Sequence, residues 1–520
     1  MKMDYNSILK KALITFVLML GLIFACATAL LWYYEMPLSY GITAAVIIVF
    51  VQYLMGPIII NILYQIDFTL APARISRNIY EFVENKCKEI KITAPELGII
   101  VDGNPNAFTF GYSRRFAKIV LTTGIIEKLS QEELESVILH ELGHIKHNDF
   151  IIMTIISVIP ILMYQIYAWT KNSNKADAVY WIGIGAYGAY VFSQYIALSF
   201  SRLREYYADH FSREHMGSSE YLKSALIKIA YGCVNSENKN HLKSSAIGIS
   251  DVMQAEGFTL SYANSEKYES AKKVLLNWDI NSIWGKWYEI NSTHPLTAKR
   301  IFALNDEKYE AKSSYIKEIR KFILEAFISV IPWVTAAAVY FSNKADLISA
   351  GKSTKIITIM LQSLHSPLSI AILGLTILIK FYYSYSYLFQ NSSILGLLSR
   401  LDASPVKGIP AILKGKIIGK GIPGLFYSED LVLDDGTSFI LIDYRQPMRI
   451  LEFLFGVLKA DEIVGKDVEV TGWYKRGHRP YFVCNHITLE GKKVRSYNYI
   501  FTMLLGYALI LGGLIEYIIK

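Results

Sequence analysis

Apolar positions in this chain gather into seven long blocks, and the residues between them alternate with helical or strand periodicity. The blocks run approximately 12–34, 39–64, 150–170, 178–200, 322–342, 356–389 and 498–518. Each is long enough to cross a bilayer, which takes about 20 apolar residues. His365, Pro367 and Lys380 interrupt the sixth, which reads either as one span or as a broken, re-entrant pair. The first block has no A-x-A-like cleavage site and is followed at once by the second, so it reads as an uncleaved anchor rather than a signal peptide.

Between the second and third blocks, Ile79, Phe82, Val83 and Ile90 predict an amphipathic helix over 75–92. Residues 98–102 and 107–123 read as strands, with turns at Gly103-Asn104-Pro105 and Tyr112-Ser113-Arg114-Arg115. Ser130 followed by Glu133 predicts a capping box opening a helix that buries Leu134, Val137 and Ile138. That helix is expected to run almost directly into the third span. The stretch 402–497 differs in kind, with strands at approximately 411–419, 426–434, 438–444, 466–474 and 480–489 and an apolar helix at about 448–459. Five strands with a helix between the third and fourth is the order of an OB-like barrel.

The 520 residues are 52% hydrophobic and only 19% charged, too apolar for an ordinary soluble domain. Net charge is +8, and its placement follows the blocks. Lys2, Lys10 and Lys11 precede the first span, Arg74 and Arg77 follow the second, Arg202 and Arg204 follow the fourth, and Arg320 and Lys321 flank the fifth. Such basic segments face the cytoplasm. The layout is then two transmembrane helices in 1–64, hairpins at 150–200 and 322–390, the barrel at 402–497 and a last span in 498–520. Residues 65–149 and 201–321 share one side and can build a single cytoplasmic domain. Topology thus accounts for the charge, which leaves little ground for a nucleic-acid partner. Cys26, Cys87, Cys233 and Cys484 form no C-x-x-C pair, which argues against a cysteine metal site and fits buried thiols in a reducing compartment.

The chemistry lies in His140-Glu141-Leu142-Gly143-His144. On a helix the two histidines stand one turn apart on one face and can bind a single zinc ion. Glu141 is placed to act as general base toward the attacking water. A catalytic zinc takes three protein ligands, and Glu205 and Asp209, at i and i+4 just after the fourth span, supply candidates. One carboxylate can bind metal while the other supports a ligand histidine; alternatively both pair with Arg202, Arg204 or Arg213 on a solvated face. His147 is a rival third ligand, but ligands from consecutive turns of one straight helix rarely converge, and it reads as an interfacial histidine. The metzincin pattern needs glycine at 147 and histidine at 150, where this chain has His147 and Phe150. Asn106-Ala107-Phe108 reads as a strand edge able to pair with a substrate backbone, or equally as a hairpin with Phe108 buried. His294, in Ser292-Thr293-His294-Pro295, can donate a hydrogen bond to an oxyanion, although a lone loop histidine is usually a surface residue.

Taken in order, Asn106-Ala107-Phe108, His140 to His144, Arg204-Glu205-Tyr206-Tyr207-Ala208-Asp209 and Thr293-His294-Pro295 resemble the HtpX-type membrane zinc endopeptidases, relatives of the CAAX prenyl endopeptidases. The resemblance covers about residues 1–305. It implies a membrane α-helical protein with an α+β gluzincin-like peptidase domain. Zinc, one ion per subunit, would sit on His140, His144 and Glu205, with Glu141 as base. Arg204 and Asp209 would stand behind the ligands, and His294 near the substrate carbonyl. The implied substrates are misfolded or unassembled membrane proteins at the cytoplasmic face of the bilayer. Two alternatives share these residues: a processing peptidase for a lipidated or membrane protein, and a silent scaffold binding a partner through its barrel. That barrel carries Lys414, Lys416, Lys420, Lys475 and Arg476.

Overall fold

The computed structural model describes residues 38–149, 177–232, 268–305, 315–348, 367–400, 402–425 and 428–519, with scattered positions between 151 and 167. Two compact units emerge. One comprises Met1–Val234, Gly285–Ala311 and Ile422–Phe426; the other comprises Asn235–Trp284, Lys312–Gly421 and Tyr427–Lys520. The block expected at 12–34 lies outside the described residues, as do Cys26 and Cys233.

In the first unit, helix α1 (Leu38–Leu63) precedes α2 (Arg77–Glu89), which buries Ile79, Val83 and Cys87. Burial pushes the Cys87 thiol up to about 11, so it packs as an apolar group. Strands β1 (Glu96–Ile100), β2 (Ala107–Gly111) and β3 (Ala117–Thr122) follow. They form a sheet in the order β1-β3-β2, with β1 parallel and β2 antiparallel to β3, which leaves β2 at an edge.

Helix α3 (Gln131–His147) opens on the expected capping box. Ser130 Oγ accepts from the Glu133 amide at 3.3 Å, and the Glu133 carboxylate accepts from the Ser130 amide at 2.8 Å. Between α3 and the apolar segment that follows it lies a one-residue break. Asn148 turns left-handed (φ 56°) and ends the helix, a conformation asparagine adopts more readily than most residues. A new helical segment begins at Asp149, where the amides of Ile151 and Ile152 donate to the Asn148 carbonyl. The break turns Asp149 back toward α3.

Helix α4 (Asp177–Met216) is a single 40-residue element, about 60 Å long. It contains the stretch expected as the fourth span and continues through Glu205 and Asp209. Gly143 lets α3 and α4 approach closely: a Cβ there would lie 3.2 Å from Ala208 Cα and 3.2 Å from Phe211 Cβ. Helices α5 (Glu220–Tyr231) and α6 (Thr297–Leu304) complete the unit. Lys228 of α5 donates to Glu133 at 2.7 Å and Ser224 to the other Glu133 oxygen at 2.6 Å, tying α5 to the start of α3.

The second unit holds α7 (Tyr315–Ile348), α8 (Pro367–Ser384), strands β4 (Ile409–Lys420), β5 (Leu431–Asp434) and β6 (Phe439–Asp443), helix α9 (Arg449–Leu458), strands β7 (Asp467–Arg476), β8 (Pro480–Leu489) and β9 (Lys492–Arg495), and α10 (Asn498–Ile519). Three helices among the described residues are long and apolar enough to cross a membrane: Ile316–Tyr340, Pro367–Ser384 and Asn498–Ile519. The described part of the sixth block is one helix starting at Pro367, a position where proline's missing N–H costs nothing. Gly374 and Gly506 let α8 and α10 touch backbone to backbone, since a Cβ at Gly374 would lie 2.5 Å from the Gly506 carbonyl. Small residues serve this purpose in membrane helix pairs.

The strands close into a five-stranded barrel. β5 pairs antiparallel with β4 and β6, β7 with β4 and β8, and β6 meets β8 in parallel to complete the circuit. Tyr474 and Phe482, opposite each other on β7 and β8, are fully buried on one face of the sheet, while Trp473 points from the other face and packs on Tyr385, Phe389 and Tyr499. The second strand begins at Leu431 rather than near 426. The four-residue β9 was not anticipated; it extends β8 beyond the barrel.

Glu133→Ala should strand the buried Lys228 ammonium and cost about 3 kcal/mol or more, read as a lower thermal midpoint of the detergent-solubilised chain. Replacing Glu133 and Lys228 together by leucine should recover most of that loss.

Candidate metal centre

Helices α3 and α4 bring the expected site residues together. His140 and His144 stand one turn apart on α3, their Nε2 atoms 3.2 Å from each other. Glu205 of α4 faces both, with Oε2 3.6 Å from His140 Nε2 and Oε1 3.7 Å from His144 Nε2. Among the described residues, these three form the one group of such side chains able to hold a metal ion together. Ligands on a tetrahedral ion with bonds of 2.0–2.1 Å lie roughly 3.3 Å apart, close to the spacing seen here.

The opposite ring nitrogens are taken by carboxylates. Asp149 Oδ2 lies 2.6 Å from His144 Nδ1. Asp209 Oδ1 stands 3.0 Å from His140 Nδ1, off the N–H axis of the ring. Carboxylates in these places favour a proton on each Nδ1 and leave each Nε2 as a lone pair. Two nitrogen lone pairs and a carboxylate then converge on one point with no hydrogen among them. The cluster requires a cation.

In the metal-free chain a proton fills that need. Burial opposes charge on His140, but Asp209 and Glu205 outweigh it and push the imidazole up to about 9. Burial likewise pushes Glu205 up, yet His140, His294 and Arg300 hold it well below the usual carboxylate range. The same carboxylates that attract a proton would attract a metal, which must displace it.

Arg300 of α6 braces the cluster. Its Nε and Nη2 bind the two Asp209 oxygens at 2.8 and 2.6 Å, and its Nη1 lies 3.4 Å from Glu205 Oε2. Such a two-pronged guanidinium–carboxylate pair fixes geometry as well as charge. Arg204 stands 3.7 Å from Asp149, so it meets the centre through that carboxylate. Arg202 donates to the carbonyls of Glu289, Ile290 and Ser292 and so holds the loop that presents His294. His294 Nδ1 reaches Glu205 Oε2 at 3.0 Å while its side chain stays 54% exposed.

Glu141 is almost fully buried beside the edge strand, and Thr109 of β2 donates to its Oε2 at 2.5 Å. Phe108 packs with Tyr64 and Phe110, and the Asn106 carbonyl accepts from the Thr122 amide. The Phe108 ring therefore faces the core, and the strand has only backbone to offer along its free edge at that point. His147 stays apart from the cluster, its ring against Phe211 and Tyr207. Asp149, Thr109 and Arg300 were not singled out from sequence. Asp149 follows His144 by five residues, and a basic partner for two buried acids had to lie somewhere; neither signal names a position without the fold.

Two histidines and a carboxylate converging on one cation, with an acid beside them and apolar helices in the same chain, define a metal-dependent hydrolase of the membrane. The comparisons with known proteins agree. The family model described as Peptidase family M48 matches residues 73–308. A protease HtpX homolog of Methanothermobacter thermautotrophicus is 37% identical over 182 residues, 35% of this chain and 69% of that protein. Protease HtpX homologs of Thermoplasma acidophilum and Sulfolobus acidocaldarius are each 28% identical, over 50% and 47% of this chain and 82% and 83% of their own. The crystal structure of S. mikatae Ste24p aligns over 57% of this chain and 65% of its own, at 14% identity and a TM-score of 0.33. The chain belongs to peptidase family M48, with the HtpX proteases, and is a membrane zinc metalloendopeptidase. Its barrel and the apolar helix α10 lie beyond the residues that the family model matches.

Asp149→Ala should weaken metal binding by about 10- to 100-fold, measured by competition with a chromophoric chelator. The raised His140 value sets a pH dependence. Its stabilising charge is complete below the unfolded histidine value of about 6.5 and is lost as pH rises through about 9. Stability of the chelator-stripped chain should therefore fall between pH 6.5 and 9, while apparent metal affinity rises over the same interval.

Proposed function

We propose that the chain is a gluzincin-type endopeptidase holding one zinc per subunit on His140, His144 and Glu205. The observation that carries this reading is the set of three converging acceptor atoms, with the opposite ring nitrogen of each histidine facing a carboxylate, Asp149 or Asp209. Zinc bound there would polarise the scissile carbonyl and lower the pKa of water toward about 7. Glu141, with one oxygen held by Thr109, takes the proton of the attacking water on its other oxygen and returns it to the leaving amine. The intact base and ligand set favour an enzyme over a silent scaffold.

Substrate backbone pairs with the free edge of β2 along Asn106, Ala107 and Phe108. Because Thr109 touches Glu141, a strand docked on that edge runs past the base. His294, half-exposed on its Arg202-braced loop, donates to the carbonyl oxygen as charge develops. Asp209 and Arg204 keep the histidines and Asp149 in place. The basic segments beside the expected spans favour a site on the cytoplasmic side, and the apolar stretch of α4 that leads into Glu205 favours membrane-protein substrates, as in quality control. The strand order β4-β5-β6-β8-β7, with α9 between the third and fourth strands, supports an OB-like barrel.

Glu141→Gln in the full chain should retain zinc at wild-type stoichiometry while cleavage of an unfolded membrane-protein reporter falls by a factor of about 100 or more. Unchanged cleavage in that variant, or a wild-type protein that purifies active without zinc, would overturn the assignment.

A further inference from the structure

Helix α9 turns its apolar side outward. Phe455 stacks on Tyr444 with ring centroids 3.9 Å apart, and Gly456 lies so near the Ser428 carbonyl that a Cβ would come within 3.0 Å of it. These contacts seat the helix on the barrel. The remaining large side chains face away: Ile450 is 57% exposed and Leu458 64%, with Leu454, Val457 and the preceding Met448 also exposed. A continuous apolar surface of this kind on a barrel exterior marks a contact surface.

The start of α9 is pinned to the place where the last span begins. Glu452 of α9 accepts from the Gln446 amide at 2.9 Å. The Gln446 side chain in turn donates to the Arg495 carbonyl at 2.9 Å and accepts from the Tyr497 amide at 3.3 Å. Tyr444 donates to the same Arg495 carbonyl at 3.0 Å, and Ser496 donates to the Arg445 carbonyl. Residues 495–497 immediately precede α10, which is long and apolar enough to cross the membrane. Lys492, Lys493 and Arg495 are exposed along the same approach, where anionic headgroups would meet them.

We propose that α9 is an interfacial helix whose outward face enters the lipid bilayer at the surface from which α10 departs. A helix with an apolar face free of protein, fastened to a span's entry point and bordered by cations, meets the requirements for lying in the interface. The barrel is then held to the membrane by α9 as well as by β9 and α10, rather than swinging on a single tether.

The test uses the full chain in nanodiscs of zwitterionic and anionic phospholipid, with its four native cysteines replaced. An environment-sensitive fluorophore is placed at Leu454→Cys, at Ile450→Cys, and as a control at Lys414→Cys on the exposed barrel wall. The two α9 probes should be blue-shifted, quenched by lipids spin-labelled near the headgroup, and quenched several-fold less by aqueous iodide than the Lys414 probe. Iodide quenching equal to that of the control overturns the proposal. So does protection from iodide without quenching by the spin-labelled lipids, which would assign the face to a protein partner or a second copy of this chain.

Discussion

Two imidazole nitrogens and a carboxylate face one another across less than 4 Å, and they tolerate one another only with a cation between them. The rest of the first unit can be read as what it takes to sustain that arrangement. Asp149 and Asp209 occupy the other ring nitrogens and so prevent the histidines from turning their protons inward. Arg300 keeps two adjacent buried acids ionised side by side. Without it, one carboxylate would protonate and the field at the centre would weaken.

Two local backbone features make the cluster possible. Gly143, between the two histidines, lets α4 come close enough for Glu205 to meet both imidazoles. The left-handed Asn148 ends α3 one residue past His147 and returns Asp149 to the His144 ring. A straight continuation into the following apolar segment would have carried Asp149 away along the helix. The helix break is therefore part of the metal centre rather than a connector between it and the membrane.

Much of this was legible in the sequence, for reasons that differ by element. The capping box at Ser130 and Glu133, the periodicity of 75–92 and the strand–turn–strand run of 98–123 are local signals, and local structure follows them to within a few residues. The spacing of His140 and His144 announces a shared ligand face because a helix fixes it. Glu205 and Asp209 could be nominated as a pair, but which of them faces the histidines' Nε2 atoms depends on how α4 packs on α3. Arg300 and Thr109 are distant in sequence from everything they touch, and no periodicity reveals them. The close succession of α3 and the next apolar segment was legible, but the break between them was not, because polar His147 and Asn148 are compatible with an interrupted or a continuous helix until the backbone conformation of Asn148 is known. In the barrel, five strands with a helix between the third and fourth were legible from alternation and turn residues, whereas β9 was too short and too charged to register.

X-ray absorption at the zinc K-edge of the purified full chain tests the central claim most directly, because it reads ligand chemistry independently of activity. The account predicts two imidazole ligands and oxygen donors at about 2.0–2.1 Å with no sulfur, and loss of one oxygen shell component in Glu205→Ala. Three imidazoles around the metal would contradict it, since a third histidine, His294 or His147, would then stand in the place assigned to the carboxylate.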